Sequence, residues 1–268
     1  MKSCAVINDL SGFGKCSLGV ALPILSVMGI EAHALPTAVL SSQTAFDSYD
    51  CISLTDKMAS FINEWKKLNV SFDGILSGFV ADEEQLNIIS TFIDEFKTQN
   101  NIVIIDPVMA DNGHLYDGYT SSMCKKIKEL CFKADVITPN VAEISYLAEM
   151  PYSEKLDDIK VYANSLINQG IKNIVVTGYK FDDKISNIVF TDNATEMCIS
   201  ECVGGYFSGC GDILSSIILG GLVNGKGLVD STALATEFIH KAICKTNEND
   251  GNFGINFESI LGELYEKQ

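Results

Sequence analysis

The sequence has little positive charge. Its 268 residues include 35 aspartates and glutamates against 19 lysines and arginines, so that the formal net charge is −16. Most of such a surface repels a phosphate backbone, which argues against a general binder of nucleic acids or of anionic membranes. Any phosphate group that the protein handles must therefore be held locally, by backbone N–H groups or by a metal ion.

Long apolar runs and paired cysteines are also missing. The longest apolar stretches, such as residues 213–223, fall short of the roughly 20 residues that cross a bilayer, and polar residues follow the start too soon for a signal peptide. The nine cysteines lie at irregular intervals without a CxxC pair. We therefore expect reduced thiols in a cytoplasmic protein, with no membrane segment and no structural metal site.

Short β-branched runs alternate with amphipathic stretches of helical length along the whole chain, which predicts one α/β domain over residues 1–268. Such alternation is typical of a mostly parallel sheet with helices on both faces. The predicted strands are residues 4–7, 74–77, 102–105, 136–138 and 174–177. The predicted helices are residues 17–28, 53–69, 82–99, 119–131, 156–169 and 213–222. Two extended runs within 185–199 predict an antiparallel hairpin at one edge.

Polar or glycine residues follow four of these strands, at the positions where open α/β sheets bind their ligands. These junctions are Asn8-Asp9, Asp106-Pro107, Pro139-Asn140 and Thr177-Gly178. We expect them to share one crevice. The first junction continues into a glycine-rich loop, but this loop lacks the glycine and hydroxyl positions of a P-loop and the third glycine of a dinucleotide fingerprint. It is either a flexible turn or a loop close to a small substrate, with Asp9 as a hydrogen-bonding group.

The segment of residues 204–212 is the most informative. Glycines at 209 and 211 allow backbone N–H groups to converge at the start of an apolar helix, where the helix dipole favours an anion. Asp212, in the first turn, could then take a proton from a hydroxyl that attacks this anion. Aspartate is also favoured at helix starts for the dipole alone, so that the segment by itself leaves both interpretations open.

Asn140 and Glu143 also have two interpretations. Asparagine at the N-cap with glutamate three residues later forms a capping box. The same two residues, with Asp106, could hold Mg²⁺ through water, since Mg²⁺ prefers few protein oxygens. The two roles are compatible. The polar loop of residues 106–118 is either a flap over a nucleotide or an ordinary crossover, and its His114 is expected at the surface.

Taken together, these segments resemble the pyridoxal kinase branch of the ribokinase-like family, which includes the vitamin B6 kinases and the hydroxymethylpyrimidine phosphate kinases. The resemblance covers almost the whole chain and rests on six motifs in family order. They are the loop of residues 9–14, the segment 41–46, Asp106-Pro107-Val108-Met109, residues 138–143, residues 175–178 and residues 209–212. The implied fold is a three-layer α/β/α ribokinase-like sandwich, a mostly parallel sheet with an antiparallel edge hairpin.

The resemblance implies ATP-dependent phosphorylation of a hydroxymethyl group on a heteroaromatic ring. Asp212 matches the general base of the family, and the backbone N–H groups of residues 209–211 match its anion hole. Positions that match the substrate-binding residues are Asp9, Thr44, Phe79 and Asp212. Positions that match the ATP site are Asp106, Asn140, Glu143, Thr177, Phe207, Ser208, Gly209 and Gly211. Of these, Asp106, Asn140 and Glu143 match the Mg·ATP network, while Asp111 matches the flap. A homodimer is implied as well, and the need for a monovalent cation stays open.

Two positions depart from the pattern of this family. Cys210 stands where threonine is common, and a cysteine at a helix N-terminus is expected to have a lowered pKa, so that its thiol could add to an aldehyde substrate. Asp9 stands where many vitamin B6 kinases have serine, which leaves the ring of the substrate open between vitamin B6 and a hydroxymethylpyrimidine. The segment 41–46 favours vitamin B6. A sugar or nucleoside kinase is a weaker alternative, and a non-catalytic nucleotide-binding regulator is one from a different class.

Overall fold

The computed structural model describes residues 1–246 and 253–266. It has the predicted three-layer arrangement, with a nine-stranded sheet in the order β11-β10-β9-β8-β5-β4-β1-β2-β3. The strands are β1 Lys2–Ser11, β2 Ile30–Leu40, β3 Cys51–Ser53, β4 Gly74–Ser77, β5 Ile102–Ile105, β6 Ala110–Asp111, β7 His114–Leu115, β8 Val136–Ile137, β9 Ile174–Phe181, β10 Lys184–Phe190 and β11 Thr195–Glu201. The helices are α1 Ser17–Val27, α2 Thr55–Lys67, α3 Glu83–Phe96, α4 Ser121–Cys131, α5 Val141–Ala148, α6 Leu156–Asn168, α7 Cys210–Val223, α8 Leu228–Cys244 and α9 Gly262–Glu266.

The central strands are buried on both faces, which explains their continuous apolar runs. In β4, Ile75 packs into one hydrophobic cluster and Leu76 into the other. The first cluster lies under α2 to α6, and the second lies under α1, α7, α8 and α9. Side chains on either face of the central strands therefore pack against the apolar sides of helices.

The antiparallel edge is confirmed and extends further than predicted. β10 pairs antiparallel with both β9 and β11, and the turn between β10 and β11 falls after Phe190, as the cluster of turn residues indicates. At the opposite edge β3 pairs antiparallel with β2. The strands between these edges are parallel, so their carboxyl ends meet on one side of the sheet.

β1 is longer than the sequence predicts. The strand does not end at Ile7 but continues through Ser11, because β2 offers it a parallel partner along its whole length. The pairing changes register near its end, where Asn8 lies opposite Pro36 and Leu10 opposite Val39. Two residues of β2 therefore stand opposite Asp9, which is a bulge. The predicted loop at residues 9–14 is shorter as a result and begins at Gly12.

The polar loop after β5 folds back on itself. β6 and β7 form a small antiparallel hairpin whose turn residues Asn112 and Gly113 have φ values of 48° and 81°. These left-handed conformations suit asparagine and glycine. His114 is exposed, as expected. In the part of the chain that the structure describes, no helix has the length and apolar character to cross a membrane.

Candidate active site

The carboxyl ends of the parallel strands bring most of the predicted site residues together. Asp9 lies near the end of β1, Phe79 follows β4, and Asp106 follows β5. Asn140 forms an isolated parallel bridge with Thr177 of β9. The amide of Thr177 donates to the carbonyl of Pro139 at 2.9 Å. One crevice therefore collects side chains from five neighbouring strands, as the position of the junctions predicts.

The N-terminus of α7 opens into this crevice. The helix begins at Cys210 with Gly209 as N-cap in the left-handed conformation, at φ 83°. A Cβ atom at residue 209 would lie 2.2 Å from the carbonyl oxygen of Lys15, so that only glycine fits here. Gly209 has no side chain with which to cap the helix, and Gly211 is exposed. The first N–H groups of α7 therefore face the crevice, where the helix dipole favours a negative charge.

Asp212 lies in the first turn of α7 and is partly exposed to the crevice. Its Oδ1 accepts a hydrogen bond from Nδ2 of Asn8 at 3.1 Å. Burial raises the pKa of Asp212 to about 6, and the charge of Asp9 adds to this, while the backbone of Ser17 and the side chain of Asn8 act in the opposite direction. A carboxylate with such a pKa is ionised for most of the time at neutral pH and remains a competent proton acceptor.

Asp106 and Glu143 form the other half of the site. Burial raises the pKa of Asp106 well above its usual range, and the nearby charges of Glu143 and Asp212 add to the effect. The pKa of Glu143 is also raised, chiefly by burial. Three carboxyl groups thus lie close enough to repel one another around the start of α7. Such a cluster favours either protonation or a bound cation.

The capping box at α5 is confirmed. Oδ1 of Asn140 accepts the backbone N–H groups of Ala142 and Glu143 at 2.8 and 2.9 Å, and Oε2 of Glu143 accepts the N–H of Asn140 at 2.8 Å. Oε1 of Glu143 accepts the N–H of Met109, and Nδ2 of Asn140 donates to the carbonyl of Ala110. The two side chains thereby attach the start of the β6–β7 hairpin to α5.

Of the predicted ring-binding residues, Asp9 and Phe79 are firmly placed. Asp9 is 4% exposed and accepts a hydrogen bond from the hydroxyl of Ser11 at 3.0 Å, and burial raises its pKa. The backbone of Phe79 is held on both sides, since its N–H donates to Oδ1 of Asn8 and its carbonyl accepts the hydroxyl of Thr37. Both residues therefore belong to the rigid floor of the crevice.

Thr44 is different, because it is exposed on the loop that follows β2. This loop meets the loop after β1 through the N–H of Gln43, which donates to the carbonyl of Phe13 at 3.0 Å. Phe13, Phe46 and Phe253 form a cluster in which the ring centroids lie 5.4 to 5.8 Å apart. Thr44 thus belongs to a rim where three chain segments meet.

Comparison with known proteins identifies the family of this chain. A family model described as phosphomethylpyrimidine kinase matches residues 27–256. The chain belongs to this family. It is 26% identical over 214 residues to a pyridoxal kinase of Dictyostelium discoideum, an alignment that covers 73% of this chain and 70% of the relative.

Solved structures of the family have the same fold. A proposed phosphomethylpyrimidine kinase of Bacteroides thetaiotaomicron, crystallised with pyridoxal, is 36% identical with a TM-score of 0.94, over 98% of this chain and 95% of that one. A pyridoxal kinase of Lactobacillus plantarum is 27% identical with a TM-score of 0.93, over 100% and 98% of the two chains. The ribokinase-like fold expected from the sequence is confirmed, and the chain is a kinase.

The expectation of a lowered pKa at Cys210 is wrong. Burial raises the pKa of this thiol to about 12, and the neighbouring carboxylate of Asp212 adds to the effect. The helix dipole that favours a thiolate is therefore outweighed by desolvation and by a negative charge. A raised pKa disfavours the thiolate at neutral pH, and addition of Cys210 to an aldehyde stays a prediction.

The remaining predicted positions lie at the borders of the crevice. Phe207 is half-buried against the second hydrophobic cluster, and Ser208 is 8% exposed with a hydroxyl oxygen that has no hydrogen-bond partner among the described residues. Asp111 lies in the β6–β7 hairpin, where its carboxylate accepts the backbone N–H of Asn112 at 2.9 Å. Their assignment to the adenine pocket and the flap stays a prediction.

Two residues that sequence reasoning did not assign lie against the general-base candidate. Asn8 donates to Asp212, as described above, and Ser17 has a left-handed φ of 52° that is uncommon for a residue with a side chain. A signal for Asn8 was available, since it precedes Asp9 at a strand end. The conformation of Ser17 follows from tertiary contacts and leaves no mark in the sequence.

Proposed function

We propose that this kinase transfers the γ-phosphoryl group of ATP to the 5′-hydroxymethyl group of pyridoxal, pyridoxine or pyridoxamine. The observation that carries the proposal is the position of Asp212, a carboxylate in the first turn of a helix whose own N–H groups face the same crevice. The carboxylate accepts the proton of the attacking hydroxyl, and the N–H groups of residues 209–211 hold the transferred phosphoryl group. Phosphoryl transfer needs little more than this positioning and charge compensation.

Positive charge at the site must come from sources other than arginine. The chain contains no arginine, so all 19 of its basic residues are lysines. Lys15, which is the lysine next to the substrate loop, is paired with Asn256 and Glu258 at 2.7 and 2.8 Å. The helix dipole of α7 and a metal ion are therefore the groups best suited to compensate phosphate charge in this protein.

The residues around Asp106 fit Mg²⁺. The donor set is oxygen-rich, and Asp106, which the charges of Glu143 and Asp212 both repel, gains from a cation. Within that part of the chain no three histidine, cysteine or acidic side chains form a ready-made cage. Mg²⁺ typically keeps several waters, so that Asp106, Asn140 and Glu143 would hold it through water. When bound, Mg²⁺ neutralises charge that develops on the phosphates.

The comparisons support a vitamin B6 compound as the substrate. The structural relative with 36% identity was crystallised with pyridoxal, and several relatives carry the name pyridoxal kinase. The second candidate is a hydroxymethylpyrimidine or its phosphate, which the description of the family model and the buried carboxyl group of Asp9 favour. Both substrates present a primary hydroxyl group on a nitrogen heterocycle, so that Asp212 would act in the same way on either.

A turnover assay tests the proposal. Purified protein with Mg·ATP is offered pyridoxal, pyridoxine, pyridoxamine and hydroxymethylpyrimidine in separate reactions, and the phosphorylated product is separated and quantified. We expect the highest kcat/KM with a vitamin B6 compound and loss of product with Asp212→Asn. A higher kcat/KM with the pyrimidine would show that the substrate is a hydroxymethylpyrimidine and not a vitamin B6 compound. Unchanged product formation by Asp212→Asn would overturn the role of Asp212 as the general base. Absence of product with all four compounds would favour a non-catalytic regulator.

Homodimerisation, a cytoplasmic location and the need for a monovalent cation stay predictions. The described exposed apolar side chains are spread over several surfaces and do not single out an interface. Sedimentation of the purified protein with and without Mg·ATP, followed by turnover in potassium and in sodium buffers, would test the first and the last of these.

A further inference from the structure

The side chain of Asn8 connects three parts of the site. It lies at the end of β1, is 2% exposed, and makes three hydrogen bonds. Its Oδ1 accepts the backbone N–H groups of Phe79 at 2.9 Å and of Asp9 at 3.0 Å, and its Nδ2 donates to Oδ1 of Asp212 at 3.1 Å. Two of the predicted ring-binding residues, Asp9 and Phe79, and the predicted base therefore share a single amide group.

The orientation of this amide is fixed by its partners. Both backbone groups are donors, so they require the carbonyl oxygen of Asn8, and the NH₂ group must then face Asp212. The amide is also confined sterically, because a Cβ atom at Gly78 would lie 2.6 Å from Nδ2 of Asn8. Glycine at position 78 thus leaves the space that the NH₂ group occupies, and the donor cannot rotate away without breaking two backbone hydrogen bonds.

A donor at this place determines which way the carboxylate of Asp212 turns. The bond holds Oδ1 at the end of β1, and the backbone of Ser17 adds a second contact to the same carboxylate. A carboxylate in the first turn of a helix has an alternative, since it can turn back to the helix N-terminus as Glu143 does in α5. The amide of Asn8 selects the orientation towards the crevice.

We propose that Asn8 is a positioning residue, which holds the carboxylate of Asp212 in the orientation needed for proton transfer while it fixes the backbone beside the substrate ring. This inference rests on the proposed function, because it assigns Asn8 a role in the same proton transfer. Asn8 does not touch the reacting atoms; it acts through Asp212.

Asn8→Asp separates the donor from the two acceptor contacts. The substitution has nearly the same shape and keeps an oxygen for the N–H groups of Phe79 and Asp9, but it removes the NH₂ donor and places a carboxylate against Asp212. Steady-state kinetics at pH 8 are expected to show a kcat lowered about 10- to 100-fold, as for loss of a hydrogen bond to a charged group. The KM values for pyridoxal and ATP are expected to stay within about threefold of wild type.

Asn101→Asp is the matched control. Asn101 is 5% exposed, and its amide also bridges backbone groups, since Nδ2 donates to the carbonyl of Phe96 and Oδ1 accepts the N–H of Thr98. It precedes β5 and therefore lies at the amino end of the sheet, opposite the crevice. We expect this variant to lose thermal stability and to keep the kcat of wild type, which distinguishes positioning from a general effect of a buried carboxylate.

The outcomes are decisive in each direction. A folded Asn8→Asp protein with wild-type kcat, or one whose defect lies in KM alone, would overturn the inference. If circular dichroism shows that this variant does not fold, Asn8→Ser takes its place, because the smaller hydroxyl admits water to the Phe79 N–H and still removes the donor to Asp212. Wild-type protein in the same assay reports separately on the proposed function, since only its failure to form product would count against kinase activity on these substrates.

Discussion

α5 and α7 both begin at the crevice and both carry an acidic residue at the third helical position, yet they use it in opposite ways. In α5, Glu143 turns back to its own N-cap residue, and Asn140 covers two further N–H groups. In α7, the N-cap is Gly209, and Asp212 turns away to Asn8. One helix satisfies its own terminus, whereas the other leaves its terminus and its carboxylate to a ligand.

The difference follows from the N-cap residue and from what lies opposite. Asparagine supplies an acceptor for its own helix, while a left-handed glycine supplies none and allows the carbonyl of Lys15 to approach. The two helices therefore show that an acidic residue in the first turn is uninformative about function until its N-cap is known. The predictions that follow would break this contrast or sharpen it.

The largest effect is expected from Asp212→Asn. Loss of the general base should lower kcat by about 10³-fold, within the range measured for general base catalysis. The folded pKa of Asp212 is raised to about 6, so its ionisation costs stability as the pH rises from about 4 to above 6. At pH 8 the free energy of unfolding of Asp212→Asn should therefore exceed that of wild type by an amount on the order of 2 kcal/mol, with a higher melting temperature, whereas at pH 4 the variant should not be more stable.

Thermal unfolding in EDTA at both pH values, combined with turnover of the same samples, checks this prediction. A variant that loses activity and also loses stability at pH 8 would show that Asp212 contributes to the fold as Glu143 does, and the contrast between the helices would disappear.

Gly209→Ala should have the next largest effect. A Cβ atom at this position would lie 2.2 Å from the carbonyl oxygen of Lys15, and the alanine would have to adopt a φ of 83°. We expect a loss of at least about 2 kcal/mol in the free energy of unfolding and a fall of about 100-fold in kcat/KM for ATP, because the N–H groups of α7 are displaced. Gly204→Ala is the control, since a Cβ atom there has no neighbour within 4 Å. Equal effects of the two substitutions would contradict the assignment.

Glu143→Gln is expected to have a much smaller effect on kcat than Asp212→Asn. Glutamine has one acceptor oxygen instead of two, so that either Met109 or Asn140 loses the partner of its N–H. We expect kcat to fall by no more than about tenfold, while the free energy of unfolding at pH 8 changes little, because the lost N–H partner is offset by removal of a carboxyl group whose ionisation costs stability. Chemical denaturation together with initial rates at saturating Mg·ATP measures both. A rate loss as large as that of Asp212→Asn would mean that Glu143 shares in the proton transfer.

The smallest effects concern Cys210. Because burial raises the pKa of its thiol to about 12, Cys210 should react with iodoacetamide at pH 7.5 far more slowly than the exposed Cys244, as measured by mass spectrometry of digested protein. Cys210→Thr should keep kcat within about threefold of wild type, since only the backbone N–H of residue 210 is needed for the phosphate. Rapid alkylation of Cys210 that ATP prevents would restore the idea of a reactive thiol.

Much of the fold could be predicted because burial on both faces makes the central strands continuous in β-branched residues. The helices α3, α4 and α6 were located to within a few residues, and the box at Asn140 and Glu143 carries its own signature. The extension of β1 could not be predicted. Asn8 and Asp9 are polar and weak strand formers, and the strand continues through them because β2 pairs with Asn8 and Leu10 on either side of the bulge.

The site was predictable in its residue types and less so in its connections. The strand ends predict that Asp106 and Asn140 share one crevice, and the family resemblance adds Asp212. The sequence predicts a lowered pKa for Cys210, because the helix dipole can be inferred from the sequence. The structure raises this pKa, because burial of the thiol beside Asp212 depends on packing. The same reason hid Asn8, whose partners are 71 and 204 residues away along the chain.

The bulge in β2 limits how this protein can change its length in evolution. Thr37, one of the two residues opposite Asp9, is completely buried, and its carbonyl accepts the N–H of Leu54 and the amide of Gln85 while its hydroxyl holds the carbonyl of Phe79. Deletion of this single residue would make the pairing of β1 and β2 regular, but it would detach α2, α3 and the substrate floor from one another. Homologues that vary in length should therefore gain or lose residues elsewhere, with the residue count between the two strands kept.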